Sequence, residues 1–100
     1  MAAVFTHNGN GHLRISGEID IANAGQFATL LATVEDEIIT LDCEELTFLD
    51  SAGIHALVGQ VKEARTVRLI NVPDNVATVL RIVGLAETFG LPAQNGYGSC

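Results

Sequence analysis

The sequence predicts a small α/β (α+β) domain, a mixed β-sheet with its helices packed mainly on one face. Three observations lead there. The turn residues "NGNG" near the start join two short apolar segments, as in an antiparallel hairpin. From Ile38 to Val83 strand-like and helix-like patterns alternate, which implies right-handed crossovers and parallel strands. The chain has 100 residues, 48% of them hydrophobic, 5% aromatic and none Trp, which suits one aliphatic core and no second domain.

The elements follow in order. Ala3 to His7 form a short strand, and Leu13, Ile15 and Ile19 alternate with polar residues as a half-buried strand does. Ala24, Phe27, Ala28, Leu31 and Val34 fall on one stripe of a helix. "IITLD" from Ile38 is a continuous β-branched run, a strand covered on both faces. "CEELTFL" is then expected to be a loop leading to Asp50. Ile54, Leu57, Val58 and Val61 repeat the helical stripe, and Val67, Leu69, Ile70 and Val72 make a further strand. Asp74 is expected to cap a third helix carrying Val76, Val79, Leu80 and Val83, which Gly84 stops. Residues 1–91 form the domain, and 92–100 read as a loose tail.

Composition narrows the function classes. A formal charge of -7 and a pI near 4.6 repel phosphate backbones, so nucleic acid and anionic membrane surfaces are poor partners. With a mean hydropathy of +0.34, no apolar run reaches transmembrane length. "MAAVFTHNGNGH" lacks the basic and apolar blocks of a signal peptide, so a cytoplasmic location is expected. Cys43 and Cys100 have no metal-ligand or redox spacing; Cys43 reads as a small buried hydrophobe at a strand end. No motif points to a cofactor.

Two polar features stand out. Glu35, Asp36, Glu37, Asp42, Glu44, Glu45 and Asp50 occur with no basic residue among them, either as solvated turns or as an acidic rim that steers a basic partner. The alternation of a calcium loop is missing, so no metal site is expected. The second feature is "LDSAGI" at 49–54. Asp50 or Ser51 caps the helix there, and Ser51 sits where free N–H groups and the helix dipole favour an anion. Gly53 in the first turn costs roughly 0.5–1 kcal/mol relative to Ala, so a close approach of another backbone or a partner is expected there. Ser51 and His55 are one helical turn apart. Without an elbow motif, and with Asp50 adjoining the serine, they do not make a hydrolase triad.

These residues also carry a resemblance. "LDCEELTFLDSAGIHAL" (41–57) resembles the hallmark of the STAS domain as found in bacterial anti-sigma-factor antagonists. "SGEID" (16–20) is similar to that family's turn after its second strand, and "VATVLRIVGLAETF" (76–89) to its last helix. The resemblance implies a single STAS-type domain without enzymatic activity. It further implies a partner anti-sigma factor that is a serine kinase of the GHKL ATPase type. That kinase phosphorylates Ser51; the unphosphorylated antagonist binds it and frees the sigma factor, and a phosphatase resets Ser51. Glu18, Asp20, Asp50, Ser51, Ala52, Gly53 and His55 are the implied partner-binding residues.

Two departures from the family pattern are visible. Ala52 stands where many antagonists carry a second hydroxyl, and "EARTV" lacks the usual glycine turn. The alternative function is a non-catalytic STAS subunit of a lipid-transporting ABC complex.

Overall fold

Residues that tolerate left-handed backbone build the first turn: Gly9, Asn10 and Gly11 all have positive φ, from 56° to 86°. The turn joins β1 (Val4–Gly9) to β2 (His12–Ile19) as an antiparallel hairpin. Then come α1 (Ala24–Thr33), β3 (Ile38–Leu49), α2 (Ser51–Lys62), β4 (Thr66–Ile70), α3 (Asp74–Ile82) and a single 3₁₀ turn at Glu87–Phe89. This is a computed structural model, and it describes residues 3–91; the expected tail, with Cys100, lies outside them.

The sheet is four-stranded in the order β1-β2-β3-β4, antiparallel at the hairpin and parallel from β2 to β4. Leu13, Leu41 and Leu69 stand in register across β2, β3 and β4, on the buried face with Ile15, Ile39, Cys43 and Val67. Phe27 and Leu31 of α1, Leu57 of α2 and Leu80 of α3 close over that same core, joined by Phe89 of the 3₁₀ turn. The other face is polar. There Arg14 donates to Asp42 Oδ2 (3.1 Å) and Ser16 to Glu45 (2.9 Å). The Glu44 amide, Asn71 and Arg14 beside it hold the Asp42 carboxyl below its usual range, against a smaller opposing effect of burial.

Three expectations are corrected. "CEELTFL" is no loop, because β3 runs unbroken for 12 residues. Two bulges, each placing one extra residue in β3 against β2, shift the inward positions to Cys43, Leu46 and Leu49. A spacing of three hides a strand from a search for alternation. Cys43 therefore lies inside the strand, 1% exposed, and burial pushes its thiol up to about 12. Asp74 does not cap α3: it is the first helical residue, after Pro73, and no side chain caps that end.

The link lacking a glycine has a visible consequence. At the end of α2 the Arg65 amide donates to Gln60 O (3.2 Å) and the Ala64 amide to Val61 O (3.0 Å), a Schellman closure. α3 ends in the same closure, with Leu85 N to Leu80 O and Gly84 N to Arg81 O. The left-handed position is Gly84 in α3 but Ala64, at φ 66°, in α2. A left-handed residue with a Cβ costs roughly 1–2 kcal/mol, whereas a glycine adds about 0.4–1 kcal/mol of unfolded-state entropy. Ala64→Gly is therefore expected to stabilise the domain by about 0.5–1 kcal/mol. A melting curve unchanged or lowered in Ala64→Gly would show that the backbone is not strained.

Candidate functional site

The residues expected to act together converge at the carboxyl ends of β2 and β3. The Asp50 amide donates to Ile19 O (3.1 Å), so the two strands end side by side before the chain enters α2. Asp50 is the N-cap, with extended backbone. Its Oδ1 accepts from the amides of Ala52 (2.9 Å) and Gly53 (3.2 Å), and its main-chain oxygen from Ile54 N (3.0 Å). Its other oxygen, Oδ2, accepts from the amide of Ile21 (3.1 Å), on the loop between β2 and α1. One carboxylate thus fastens the loop between β2 and α1 to the first turn of α2.

That loop is built with equal care. The Asp20 amide donates to Asn23 Oδ1 (2.9 Å), Asn23 Nδ2 donates to Glu18 O (2.9 Å), and the Ala22 amide to Asp20 Oδ1 (3.0 Å). Asn23, 9% exposed, is its internal strut. Glu18 and Asp20 are half-buried at its edge.

Ser51 opens α2 and is exposed. Among the described residues its hydroxyl makes no hydrogen bond, in contrast to Ser16, Thr33 and Thr47. The Ala52 and Gly53 amides expected to be free for an anion are instead taken by Asp50, so an anion on Ser51 would not receive them without displacing that carboxylate. Gly53 is buried, and its missing side chain has a cause within the domain. A Cβ there would lie 2.5 Å from Leu49 Cδ1 and 2.7 Å from Ile19 Cγ2, side chains rather than another backbone or a partner.

His55 is exposed one turn beyond Ser51 and lines two shallow grooves between α1 and α2, of ≈ 610 and ≈ 540 Å³. The first also holds Ile21, Ala24, Ser51 and Ala52. No hydrogen bond joins Ser51 to His55 among the described residues, and the Asp50 oxygens face backbone amides, so no triad is assembled. Among those residues no cluster of three His, Cys, Asp or Glu side chains could hold a metal ion, and no helix is long and apolar enough to cross a membrane.

The acidic segment does not form one rim. β3 spans roughly 35–40 Å at about 3.3 Å per residue, with Glu35, Asp36 and Glu37 before its start and Asp50 beyond its end. Asp42 and Glu45 are engaged on the polar sheet face between them.

Ile21, Asn23 and Arg65 were not singled out by the sequence. Arg65 donates to the main-chain oxygens of Leu31 and Val34 and to Gln60 Oε1, tying the end of α1 to the end of α2. Ile21 carried no distinguishing signal, because it continues the alternation of Leu13, Ile15 and Ile19 and lies three residues before Ala24 on the helical stripe, so its spacing reads as that of a buried residue.

A four-stranded mixed sheet under helices, with a serine opening the capped helix after an interior strand, defines the class: a small α/β domain displaying a helix start. The chain belongs to the STAS domain family, whose model matches residues 2–97. Its fold is similar to that of an anti-sigma factor antagonist from Mycobacterium paratuberculosis (TM-score 0.77, 19% identity, 93% of this chain and 87% of that one). It is also similar to the anti-sigma factor antagonist SpoIIAA in its unphosphorylated form (TM-score 0.59, 22% identity, 81% and 83%). No curated protein sequence matches the chain significantly.

Proposed function

We propose that this protein is an anti-sigma-factor antagonist. It binds a cognate anti-sigma factor, a serine kinase of the GHKL ATPase type, and thereby releases a sigma factor in the cytoplasm. The γ-phosphoryl group of ATP passes to Ser51 Oγ as the hydroxyl proton leaves to the kinase and ADP departs, and the modified antagonist no longer binds. A phosphatase restores the hydroxyl. The chain acts by binding and catalyses nothing itself.

The observation that carries this reading is the exposed Ser51 hydroxyl, without a hydrogen bond among the described residues, opening a helix whose cap is already filled by Asp50. It is presented at a helix start tied down by the Asp50 cap, and Ala52 leaves it no rival at the next position. The test incubates the chain with purified candidate kinases, ATP and Mg²⁺, followed by mass spectrometry. Phosphate on Ser51, absent from Ser51→Ala, is the expected result. Phosphate confined to Thr47 or another hydroxyl would sink the assignment. Stable binding to an ABC ATPase in place of any kinase would transfer the function to a transporter subunit.

A further inference from the structure

Ile21 is 81% exposed, more than any other large hydrophobic side chain described. Exposed apolar residues are common on mobile loops; this one sits on a loop whose amides at Asp20, Ile21 and Ala22 are each hydrogen-bonded. Its own amide is bonded to Asp50 Oδ2, and its neighbours are fixed through Asp20 and Asn23. Leaving an isoleucine side chain in water gives a free domain nothing, whereas an apolar side chain carried on backbone that is already tied down lowers the entropic cost of docking. The surroundings state what kind of partner fits. Ala24, Ala28, Ala52 and Ala56 leave a shallow apolar groove beside Ile21. α1, "AGQFATLLAT", carries no charge, and the charge on the loop itself is Asp20, in a chain of net charge -7.

Resting on the reading above, we infer that Asp50 is a two-ended clasp that presents Ile21 as the apolar anchor of the kinase-docking surface. The occupant is a face of the kinase that offers an apolar socket with a cation at its edge. Asp50 is thus a positioning residue acting through Ile21, and not only a helix cap.

The two functions of the carboxylate are separable by one atom. In Asp50→Asn the amide oxygen still caps Ala52 and Gly53, since Asn caps as well as Asp. Its NH₂ group then faces the Ile21 amide, donor against donor. Hydrogen exchange on the free protein is expected to show at least tenfold faster exchange at Ile21, with Ala52 and Gly53 nearly unchanged. Unchanged exchange at Ile21 would overturn the clasp, whatever the partner.

Binding is measured with the ADP-loaded kinase that phosphorylates Ser51 in the test above. Ile21→Ser, which keeps the clasp, is expected to lose at least tenfold in affinity with unchanged exchange. Asp50→Asn should lose a similar factor, and the double variant should bind no more weakly than Ile21→Ser alone. Full affinity in Ile21→Ser, toward a kinase whose complex phosphorylation of Ser51 still disrupts, overturns the anchor and leaves the switch standing. If no kinase binds the wild type, the switch and the anchor fall together. If Ile21→Ser instead abolishes self-association of the wild type in ultracentrifugation, the occupant is a second copy and the proposal is wrong.

Discussion

Ser51→Asp is expected to bind the kinase about 30-fold or more weakly than wild type while melting at nearly the same temperature. The two halves have different physics. In the free domain the new carboxylate stands at the start of α2, where the helix dipole is worth about 0.3–1 kcal/mol to a negative charge. The Ala52 and Gly53 amides are already bonded to Asp50, so that gain comes without two of the bonds that usually accompany it, and Asp50 repels the newcomer. These effects oppose each other and stability moves little. At an interface, a desolvated charge without a counterpart costs about 2–5 kcal/mol, and about 2 kcal/mol is already a factor of roughly 30. A phosphate adds about -1.5 to -2 charges, so the aspartate sets a lower limit. Ser51→Ala should bind like wild type and remain locked in the antagonist state. Titration calorimetry and melting curves on the three proteins check both halves. Equal affinity for wild type and Ser51→Asp would remove the switch.

What could be read beforehand depended on how local each signal was. The start of α2 was legible because capping is a contact between neighbours: an Asp, a Ser, then apolar residues at helical spacing. The hairpin and the parallel order of the later strands were legible for a similar reason. The second half of β3 was not, since its bulges exist only against β2, and they turn a spacing of two into a spacing of three. Asp74 was misjudged by one position because Pro73 already supplies the extended residue before the helix. The acidic run looked like one feature because its residues are close in sequence, yet an extended strand separates them in space. The clasp was out of reach altogether. Asp50 and Ile21 are 29 residues apart, and a backbone amide carries no side-chain signature. Resemblance supplied Asp20 and Asp50 as a pair, but their joint work on one loop is visible only in three dimensions.

Gly53→Ala is expected to destabilise the domain by about 1–3 kcal/mol, the usual cost of forcing a methyl into a filled core. Outside this setting the change should help, because a helical glycine is about 0.5–1 kcal/mol worse than alanine. Here the added Cβ would lie 2.5 Å from Leu49 Cδ1 and 2.7 Å from Ile19 Cγ2. Ile19 is 0% exposed and Leu49 6%, so neither can swing into solvent. The clash outweighs the propensity gain, and each kcal/mol lowers the melting temperature of a domain this size by about 4–8 °C. Ile19 and Leu49 also end the two strands that hold Glu18, Asp20 and Asp50, so relaxing them shifts the base of the docking loop and the Asp50 cap together. A Leu49→Ala background provides the control: it removes the nearer clashing atom at its own cost, and the increment for Gly53→Ala should shrink there. Unfolding of the four proteins in urea measures that coupling. If Gly53→Ala is neutral or stabilising in the wild-type background, the strand ends are loosely packed, and the absence of a side chain at position 53 has no steric cause.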